Sequence, residues 1–312
     1  MREPSGAFPR RAEASARAHT RRARAALSIG VRLSVSVCQG TLPLVPELPE
    51  VEHAARALAR ATVGARIVRA TVLHPYVGRN LRKASLRRLV GRSISRVERR
   101  GKHQLAVLDD GSTLHIHFRM TGDWIVGRVE EELPRFARFV LDLENGTRIV
   151  LADPRALSTV EVIEPGASLA TILGPDAVSE QFDAPHLRTA LARRRIAIKP
   201  ALLDQSVVAG VGNIYAAEAL WLARIDPRIP ASRLGARDVE RLVRAIRRVL
   251  SRGRDGSGRY TTTGSARLNV YDREGKRCSR CGTSIARIVQ AARSTYWCPG
   301  CQVNPALRAR RP

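Results

Sequence analysis

The sequence predicts an α+β protein of several domains, and three observations support this prediction. Residues 66–153 alternate apolar and polar side chains, which is typical of half-buried β-strands. Residues 183–253 show the spacing of amphipathic helices instead, and four cysteines follow in two Cys-x-x-Cys pairs. A chain of 312 residues is also long enough to form two or three separate cores.

The charge balance favours a polyanionic partner. The chain holds 54 Lys and Arg against 28 Asp and Glu, a formal net charge of +26. Without residues 1–45 it still has 46 basic and 26 acidic residues, so the surplus is not confined to the amino-terminal segment. Basic side chains that neutralise phosphates release counterions, which favours nucleic-acid binding. An arginine-rich composition with solvated charged faces is the alternative explanation.

Other classes of protein are disfavoured by composition. The apolar stretches are far shorter than the roughly 20 residues of a membrane span. Five cysteines are too few for a disulfide scaffold of this size, and their clustering indicates metal ligation in a reducing compartment. Residues 1–45 are rich in Arg, Ala and Ser without sustained periodicity. They fit a disordered basic tail, a transit peptide, or translation upstream of the true start.

The first organised part begins at Pro46. Pro49 suits a first helical turn, and apolar residues recur at helical spacing from Val51 to Ala61. Strand-like segments follow, with hairpin turns predicted at Asp110-Gly111 and Asn145-Gly146. This pattern predicts a β-sandwich or barrel, and residues 164–176 fit a linker.

The middle of the chain is predicted to be helical. Asp183 is suited to cap a helix running to about Arg195, and shorter helices are expected at 199–205 and 213–223. A longer helix is expected to stop at Gly253. Gly210 and Gly212 allow a tight turn before Asn213, an apt N-cap whose free N–H groups would suit a phosphate. An ordinary packing corner, with Lys199 and Tyr215 as plain surface and core residues, is the alternative.

The carboxy-terminal cysteines predict a metal site. Cys278-x-x-Cys281 and Cys298-x-x-Cys301 can form two knuckles that a hairpin brings together. Four thiolates with no open position suit one structural Zn²⁺, which would supply much of the folding energy of so small a module. Arg293 lies near the predicted hairpin tip, where it is a candidate phosphate ligand. Cys38 stands apart and is interpreted as a small apolar residue.

These segments, in this order, resemble the formamidopyrimidine-DNA glycosylase / endonuclease VIII family. The likeness covers residues 46–312 and rests on PELPEVE, RRGKHQL, HIHFRMTG, DPR, LLDQSVVAGVGNIYAAE and the finger with ARSTYWCPGC. PELPE rather than PEGPE favours the formamidopyrimidine branch. The resemblance implies an amino-terminal β-sandwich with a leading helix, a helix-two-turn-helix domain and a four-cysteine zinc-finger hairpin. The boundaries expected on this basis are 1–45 extension, 46–165 catalytic sandwich, 166–180 linker, 181–258 DNA-binding helices, and 259–312 loop and finger.

The resemblance also implies a chemistry. The family removes oxidised bases from double-stranded DNA and then cleaves the abasic strand by β,δ-elimination. Pro46 would attack C1′ as a neutral secondary amine and form a Schiff base. Glu47 would be the general acid, and Glu50 would be a supporting carboxylate.

Further residues are implied to hold the DNA. Lys102, Asn213 and Arg293 would grip phosphates, and Lys199 and Tyr215 would belong to the same binding surface. Met120 and Arg155 would fill the void that a flipped nucleotide leaves. Leu157 stands where the family has a wedge aromatic, and the loop at about 252–276 is short. Both departures leave open whether the lesion is a formamidopyrimidine, 8-oxoguanine, an oxidised pyrimidine or an abasic site.

The position of Pro46 behind Val45 raises an objection to this chemistry. An amide nitrogen is delocalised into its carbonyl and cannot form a Schiff base. We therefore expect residues 1–44 to be an annotation artefact, with Val45 a misread GTG initiator; a cleaved transit peptide is the alternative. A catalytically silent DNA-binding paralogue is the rival function, and a zinc-ribbon RNA-binding protein would leave PELPEVE unexplained. We expect a monomeric, cytoplasmic, nucleoid-associated bacterial protein that binds no membrane.

Overall fold

The computed structural model describes residues 45–167, 169, 172–255 and 268–303. Its first element is helix α1, Leu48–Thr62, which begins after Glu47 and carries Pro49 in its first turn, as predicted. The apolar positions of α1 are buried, including Val51, Ala54 and Leu58. Within the described ranges, no helix combines the length and apolar character that crossing a bilayer requires.

The amino-terminal half is a β-sandwich, which confirms the predicted fold class. One sheet has the order β1-β6-β7-β5 and the other β2-β3-β4-β8. The strands are β1 Ile67–Val72, β2 Ile94–Arg100, β3 His103–Leu108, β4 Thr113–His117, β5 Asp123–Arg128, β6 Ala137–Leu143, β7 Thr147–Ala152 and β8 Thr159–Ile163. Buried aliphatic and aromatic side chains from both sheets form one core, which Leu58 of α1 joins.

The predicted hairpins are present, but three elements were not foreseen. Gly111 and Gly146 adopt left-handed backbone conformations, with φ of 81° and 75°, between paired antiparallel strands. Strands β5 and β8 and a short helix α2, Lys83–Leu89, escaped prediction. β5 and β8 pair with β7 and β4 respectively, so long-range pairing stabilises segments whose own patterns are short.

The helical half contains α3 Ala184–Leu191, α4 Ile198–Leu203, α5 Asn213–Leu222, a 3₁₀ turn at Ala231–Arg233 and α6 Ala236–Asp255. Asp183 caps α3 through its carboxylate, which accepts the N–H of His186 at 2.8 Å. The prediction that α3 reaches about Arg195 is wrong. The Arg194 side chain turns back to donate to the Ala190 carbonyl, which satisfies an acceptor at the helix end.

The expected stop at Gly253 is also wrong, since α6 continues to Asp255. Gly253 is a packing residue. A Cβ at this position would lie 2.5 Å from the Tyr215 hydroxyl and 2.8 Å from Cγ of Pro49. The absence of a side chain therefore lets α6 approach α1 and α5 closely.

The last described segment is a two-stranded hairpin of β9, Ala286–Gln290, and β10, Arg293–Trp297. Its tip is formed by Ala291 and Ala292, both with left-handed φ, of 46° and 57°. A small core joins the hairpin module to α5 and includes Trp221, Val270 and Cys298. Arg293 therefore lies beside the tip, as expected.

Candidate active site

A cavity of about 930 Å³ lies between the sandwich, the start of α5 and the cysteine hairpin. Six of the candidate residues line it: Pro46, Glu47, Lys102, Met120, Asn213 and Arg293. The remaining candidates outside the cysteine site do not line the cavity; they are Glu50, Arg155, Leu157, Lys199 and Tyr215. The structure thus brings together residues that are up to 247 positions apart in the sequence.

Glu47 joins the two halves of the protein. Its carboxylate accepts the backbone N–H of Ile214 at 2.8 Å and that of Tyr215 at 3.2 Å, at the start of α5. The prediction that Asn213 is the N-cap is wrong, because Gly212 occupies that position and Asn213 is the first helical residue. Glu47 therefore uses N–H groups that were expected to be free for a phosphate.

Glu47 is suited to hold a proton. Burial raises the pKa of this carboxyl, and it outweighs the nearby Lys102 charge and the N–H groups of the α5 start, which lower it. Glu50 lies directly behind, where one oxygen accepts the Glu47 N–H at 3.0 Å and the other accepts the Tyr215 hydroxyl at 2.9 Å. Burial and then the Glu47 charge raise the pKa of Glu50 to about 7. Burial therefore favours the protonated form of both carboxyls, as a general acid requires.

Pro46 is buried beside Glu47 at the cavity wall. In the full chain its nitrogen forms the peptide bond to Val45, which also lines the cavity. That nitrogen has no free lone pair while the bond is intact. Pro46 lines the cavity, and attack by its nitrogen on a ligand there would require a free amine.

Two lysines occupy different environments at this site. Lys102 lines the cavity, and burial followed by the Arg293 charge lowers its pKa against the opposing effect of Glu47 and Glu50. Lys199 lies behind the wall, 1% exposed. Its ammonium donates to the Asn213 side chain and, at 2.9 Å each, to the Ser294 carbonyl and Thr295 hydroxyl. These three bonds use every Lys199 donor and join α4, α5 and β10.

Sequence reasoning missed a histidine cluster on β3 and β4. His117 lines the cavity and its Nδ1 accepts the Arg119 N–H at 2.9 Å, so the neutral ring carries its proton on Nε2. Burial lowers the pKa of His117 to about 2, so the ring is neutral. His103 packs edge-on against it, and His115 joins His103 to Glu161 by contacts of 2.8 and 2.6 Å. The alternating His-Ile-His of β4 was the only available signal.

Asp153 was also missed, and it organises the loop that carries Arg155 and Leu157. Its two oxygens accept the backbone N–H groups of Arg155 at 3.1 Å and Leu157 at 2.8 Å. It also accepts the Thr121 hydroxyl, one residue from Met120. Asp153 thus links the segment that carries Arg155 and Leu157 to the segment that carries Met120, and of these three residues only Met120 lines the cavity.

The four cysteines form a group that fits one zinc ion. Their sulfur atoms all lie within 4.8 Å of one another. The Cys281–Cys298 and Cys278–Cys301 sulfur pairs are 3.4 and 3.9 Å apart, close to the ~3.8 Å edge of a tetrahedron with ~2.3 Å Zn–S bonds. The Trp221 indole and Arg280 backbone N–H groups both donate to the Cys278 sulfur, as suits a thiolate. One structural zinc, held by these four residues, is the cofactor of the protein.

A β-sandwich, a helical domain with a buried turn and a zinc hairpin around one basic cavity define the class of DNA base-excision glycosylases. Three family models match the chain. They are the formamidopyrimidine-DNA glycosylase N-terminal domain over residues 45–160, its H2TH domain over 173–263, and the zinc finger found in FPG and IleRS over 275–303. The chain belongs to the formamidopyrimidine-DNA glycosylase family.

Individual relatives agree with this assignment. The formamidopyrimidine-DNA glycosylase of Chloroflexus aurantiacus is 41% identical over 274 residues, covering 83% of this chain and 98% of the relative. That of Herpetosiphon aurantiacus is 39% identical, with 83% and 100% covered. The crystal structure of the Lactococcus lactis enzyme bound to abasic-site DNA is similar, with a TM-score of 0.78 and 32% identity. It covers 83% of this chain and all of that one.

Proposed function

We propose that the protein excises oxidised bases from double-stranded DNA, with formamidopyrimidines as the leading substrate, and then cleaves the abasic strand. The observation that carries this proposal is the Pro46–Glu47 pair at the cavity wall, with Glu47 disposed to keep a proton. The family membership supports it. So do the Lactococcus lactis relatives, whose structures contain abasic-site and Fapy-dG DNA.

The glycosylase step requires a neutral amine and an acid. With Pro46 as a free amino terminus, its nitrogen attacks C1′ of the damaged nucleotide, and the base leaves with the bonding electrons and takes up the proton that the amine loses. Glu47 protonates the sugar ring oxygen, the ring opens, and a Schiff base joins Pro46 to C1′. The Lys102 and Arg293 cations and the burial of Pro46 favour the neutral amine, because each disfavours further positive charge.

Strand cleavage follows from the Schiff base. The protonated imine makes the C2′ hydrogen acidic, so successive β- and δ-elimination expel both flanking phosphates and leave a one-nucleotide gap. In this proposal Lys102, Asn213 and Arg293 bind backbone phosphates at the cavity. The surface of Met120, Arg155 and Leu157 occupies the void in the duplex, with an aliphatic wedge at Leu157.

The Val45–Pro46 peptide bond favours a second function for any form of the protein that keeps it. Such a form retains the basic cavity and the zinc hairpin but lacks the nucleophile. It would bind damaged DNA without reacting. The two functions therefore differ in one covalent bond, which makes them separable by experiment.

Amino-terminal sequencing of the native protein and borohydride trapping on abasic duplex DNA test the proposal together. We expect Pro46 to be the first residue, and we expect the Pro46-initiated protein to form a covalent adduct that Glu47→Gln retards. The full-length chain is the matched control and should bind the duplex without an adduct. Lack of an adduct from the Pro46-initiated protein would establish the silent function. A panel of 8-oxoguanine, formamidopyrimidine, thymine glycol and abasic duplexes then identifies the lesion.

A further inference from the structure

A partly buried ion-pair network lies beside the cavity and has no part in the chemistry above. The Arg99 guanidinium of β2 binds both oxygens of Asp176, at 2.5 and 3.2 Å, and donates to Glu52 of α1 at 2.6 Å. The Arg99 side chain is only 8% exposed. A network with this geometry connects the sandwich to the first residues of the helical half.

The network fixes the residue that precedes Lys102. The Gly101 N–H donates to Asp176 at 2.8 Å, and the Gly101 carbonyl accepts from Arg99 at 2.9 Å. Both backbone groups of Gly101 are therefore held by the same ion pair. Gly101 has a left-handed φ of 60°, and a Cβ added to it would lie 3.0 Å from the Ala209 side chain.

The turn at Ala209 and Gly210 contacts several segments that carry residues of the site. Asp176 pairs with Ala209 in an isolated parallel β-bridge. The Ala209 N–H donates to the Pro175 carbonyl at 2.9 Å, and the Ala177 N–H donates to the Ala209 carbonyl at 3.0 Å. The Gly210 carbonyl accepts the Leu48 N–H at 3.2 Å, next to Glu47. This turn also precedes α5, the helix that Glu47 caps. Lys102, Glu47 and the start of α5 are thus aligned through one short stretch of backbone.

We propose that Arg99 and Asp176 are positioning residues, whose ion pair presses the β2–β3 turn onto Ala209 and so keeps the Lys102 ammonium inside the cavity. Loss of the Asp176 charge leaves Arg99 paired with Glu52 alone and weakens the acceptor of the Gly101 N–H, so the turn is expected to lift away. Lys102 then moves toward solvent. Neither Arg99 nor Asp176 lines the cavity, so the ion pair acts on the chemistry only through the residues that it positions.

Asp142 provides a matched control within the same sandwich. It is an aspartate that is likewise held by arginine and is more deeply buried than Asp176, with Arg148 at 2.7 and 3.2 Å and Arg69 at 2.7 Å. None of these three residues lines the cavity. Asp142→Asn therefore reproduces the loss of a buried ion pair and its effect on stability without touching the Lys102 turn.

The lysine content of the chain allows a direct test. The sequence has four lysines, at 83, 102, 199 and 276. Protein labelled with ¹³C-lysine should give four Cε resonances, and Lys102→Met identifies the signal of Lys102. Its pKa is then read from a pH titration of the DNA-free, full-length chain, which needs no enzymatic activity.

The direction in which the pKa of Lys102 changes distinguishes loss of a nearby charge from release of the side chain to solvent. Loss of the Asp176 charge alone would lower the pKa of Lys102, because a nearby anion stabilises an ammonium. Release of Lys102 to solvent would raise it toward the ~10.4 of a free lysine. We expect Asp176→Asn to raise the pKa of Lys102 and Asp142→Asn to leave it unchanged. Asp176→Glu keeps the charge and should return the pKa of Lys102 part of the way to its value in the unsubstituted protein. This variant replaces Asp176→Asn in the test if Asp176→Asn does not fold.

A kinetic cycle extends the test and rests on the proposed function. Asp176→Asn should slow borohydride trapping by the Pro46-initiated protein and change its pH profile, but it should add nothing in a Lys102→Met background. A folded Asp176→Asn protein with an unchanged or lowered Lys102 pKa would overturn the positioning role. Absence of trapping by the unsubstituted Pro46-initiated protein would refute the proposed function and leave the titration result standing.

Discussion

Gly212→Ala is the substitution that most directly tests the placement of Glu47. A Cβ at position 212 would lie 2.2 Å from Cδ and 2.5 Å from Oε1 of Glu47. The backbone itself is not the obstacle, since Gly212 has a φ of −126°, which alanine adopts readily. The carboxyl group must therefore move by about 1 Å to reach ordinary contact distance, and its bonds to Ile214 and Tyr215 are lost or stretched.

The expected cost follows from those contacts. Two hydrogen bonds to a buried carboxyl contribute about 1–1.5 kcal/mol each, and overpacking adds about 1 kcal/mol. The free energy of unfolding should therefore fall by about 3–4 kcal/mol. At about 2–4 °C per kcal/mol, this corresponds to a decrease in Tm of about 10 °C. A displacement of this size should also slow adduct formation about 100-fold.

Gly235→Ala is the matched control. Gly235 also precedes a helix, and its carbonyl accepts the N–H groups of Asp238 and Val239. A Cβ there would meet nothing closer than 3.8 Å, so only the weak preference for glycine over alanine at this position is lost. Thermal unfolding and single-turnover trapping would be measured for both variants. Equal Tm values and equal trapping rates would refute the arrangement of Glu47 at the α5 start.

Two further predictions concern the zinc and the second carboxyl. Zinc removal by a chelator, or Cys298→Ser, should abolish duplex binding measured by fluorescence anisotropy, because the hairpin carries Arg293; retained affinity would contradict this. The pKa of Glu50 is about 7 in the fold and 4.5 for a free group. Its contribution to the free energy of unfolding is therefore complete below about pH 4.5 and is lost as the pH rises to 7. Glu50→Gln should therefore flatten this part of the stability–pH curve in urea unfolding; an unchanged slope would exclude Glu50 as its source.

Features encoded by local spacing were predicted well. The four cysteines, the leading helix and the two hairpins depend on residues close together in sequence. Their geometry follows from knuckle spacing, from apolar periodicity and from glycines with left-handed φ. The zinc site could therefore be assigned without knowledge of the tertiary fold.

Features that depend on distant partners were not predictable in this way. Asn213 has a good local preference for an N-cap, but the Glu47 carboxylate arrives from 167 residues away and binds the helix start. The local sequence around Gly253 is typical of a helix end, whereas in the fold this glycine packs against Pro49 and Tyr215. His117 and Asp153 lie within the HIHFRMTG and DPR segments, but only the fold shows which residues they contact. The predicted short loop at about 252–276 lies partly outside the described residues.

The partly buried Lys102 and the buried Lys199 also bear on which substitutions this sequence tolerates. The chain uses 50 arginines and only four lysines, and Lys83 and Lys276 are exposed. Lys102 lines the cavity and Lys199 is 1% exposed, and a guanidinium differs from an ammonium in shape and donor geometry. In a background so biased toward arginine, exchange of a lysine for arginine conserves the charge but not the shape of the donor group. Lys199→Arg would therefore keep the positive charge while a planar fork replaces an ammonium that donates to three separate partners.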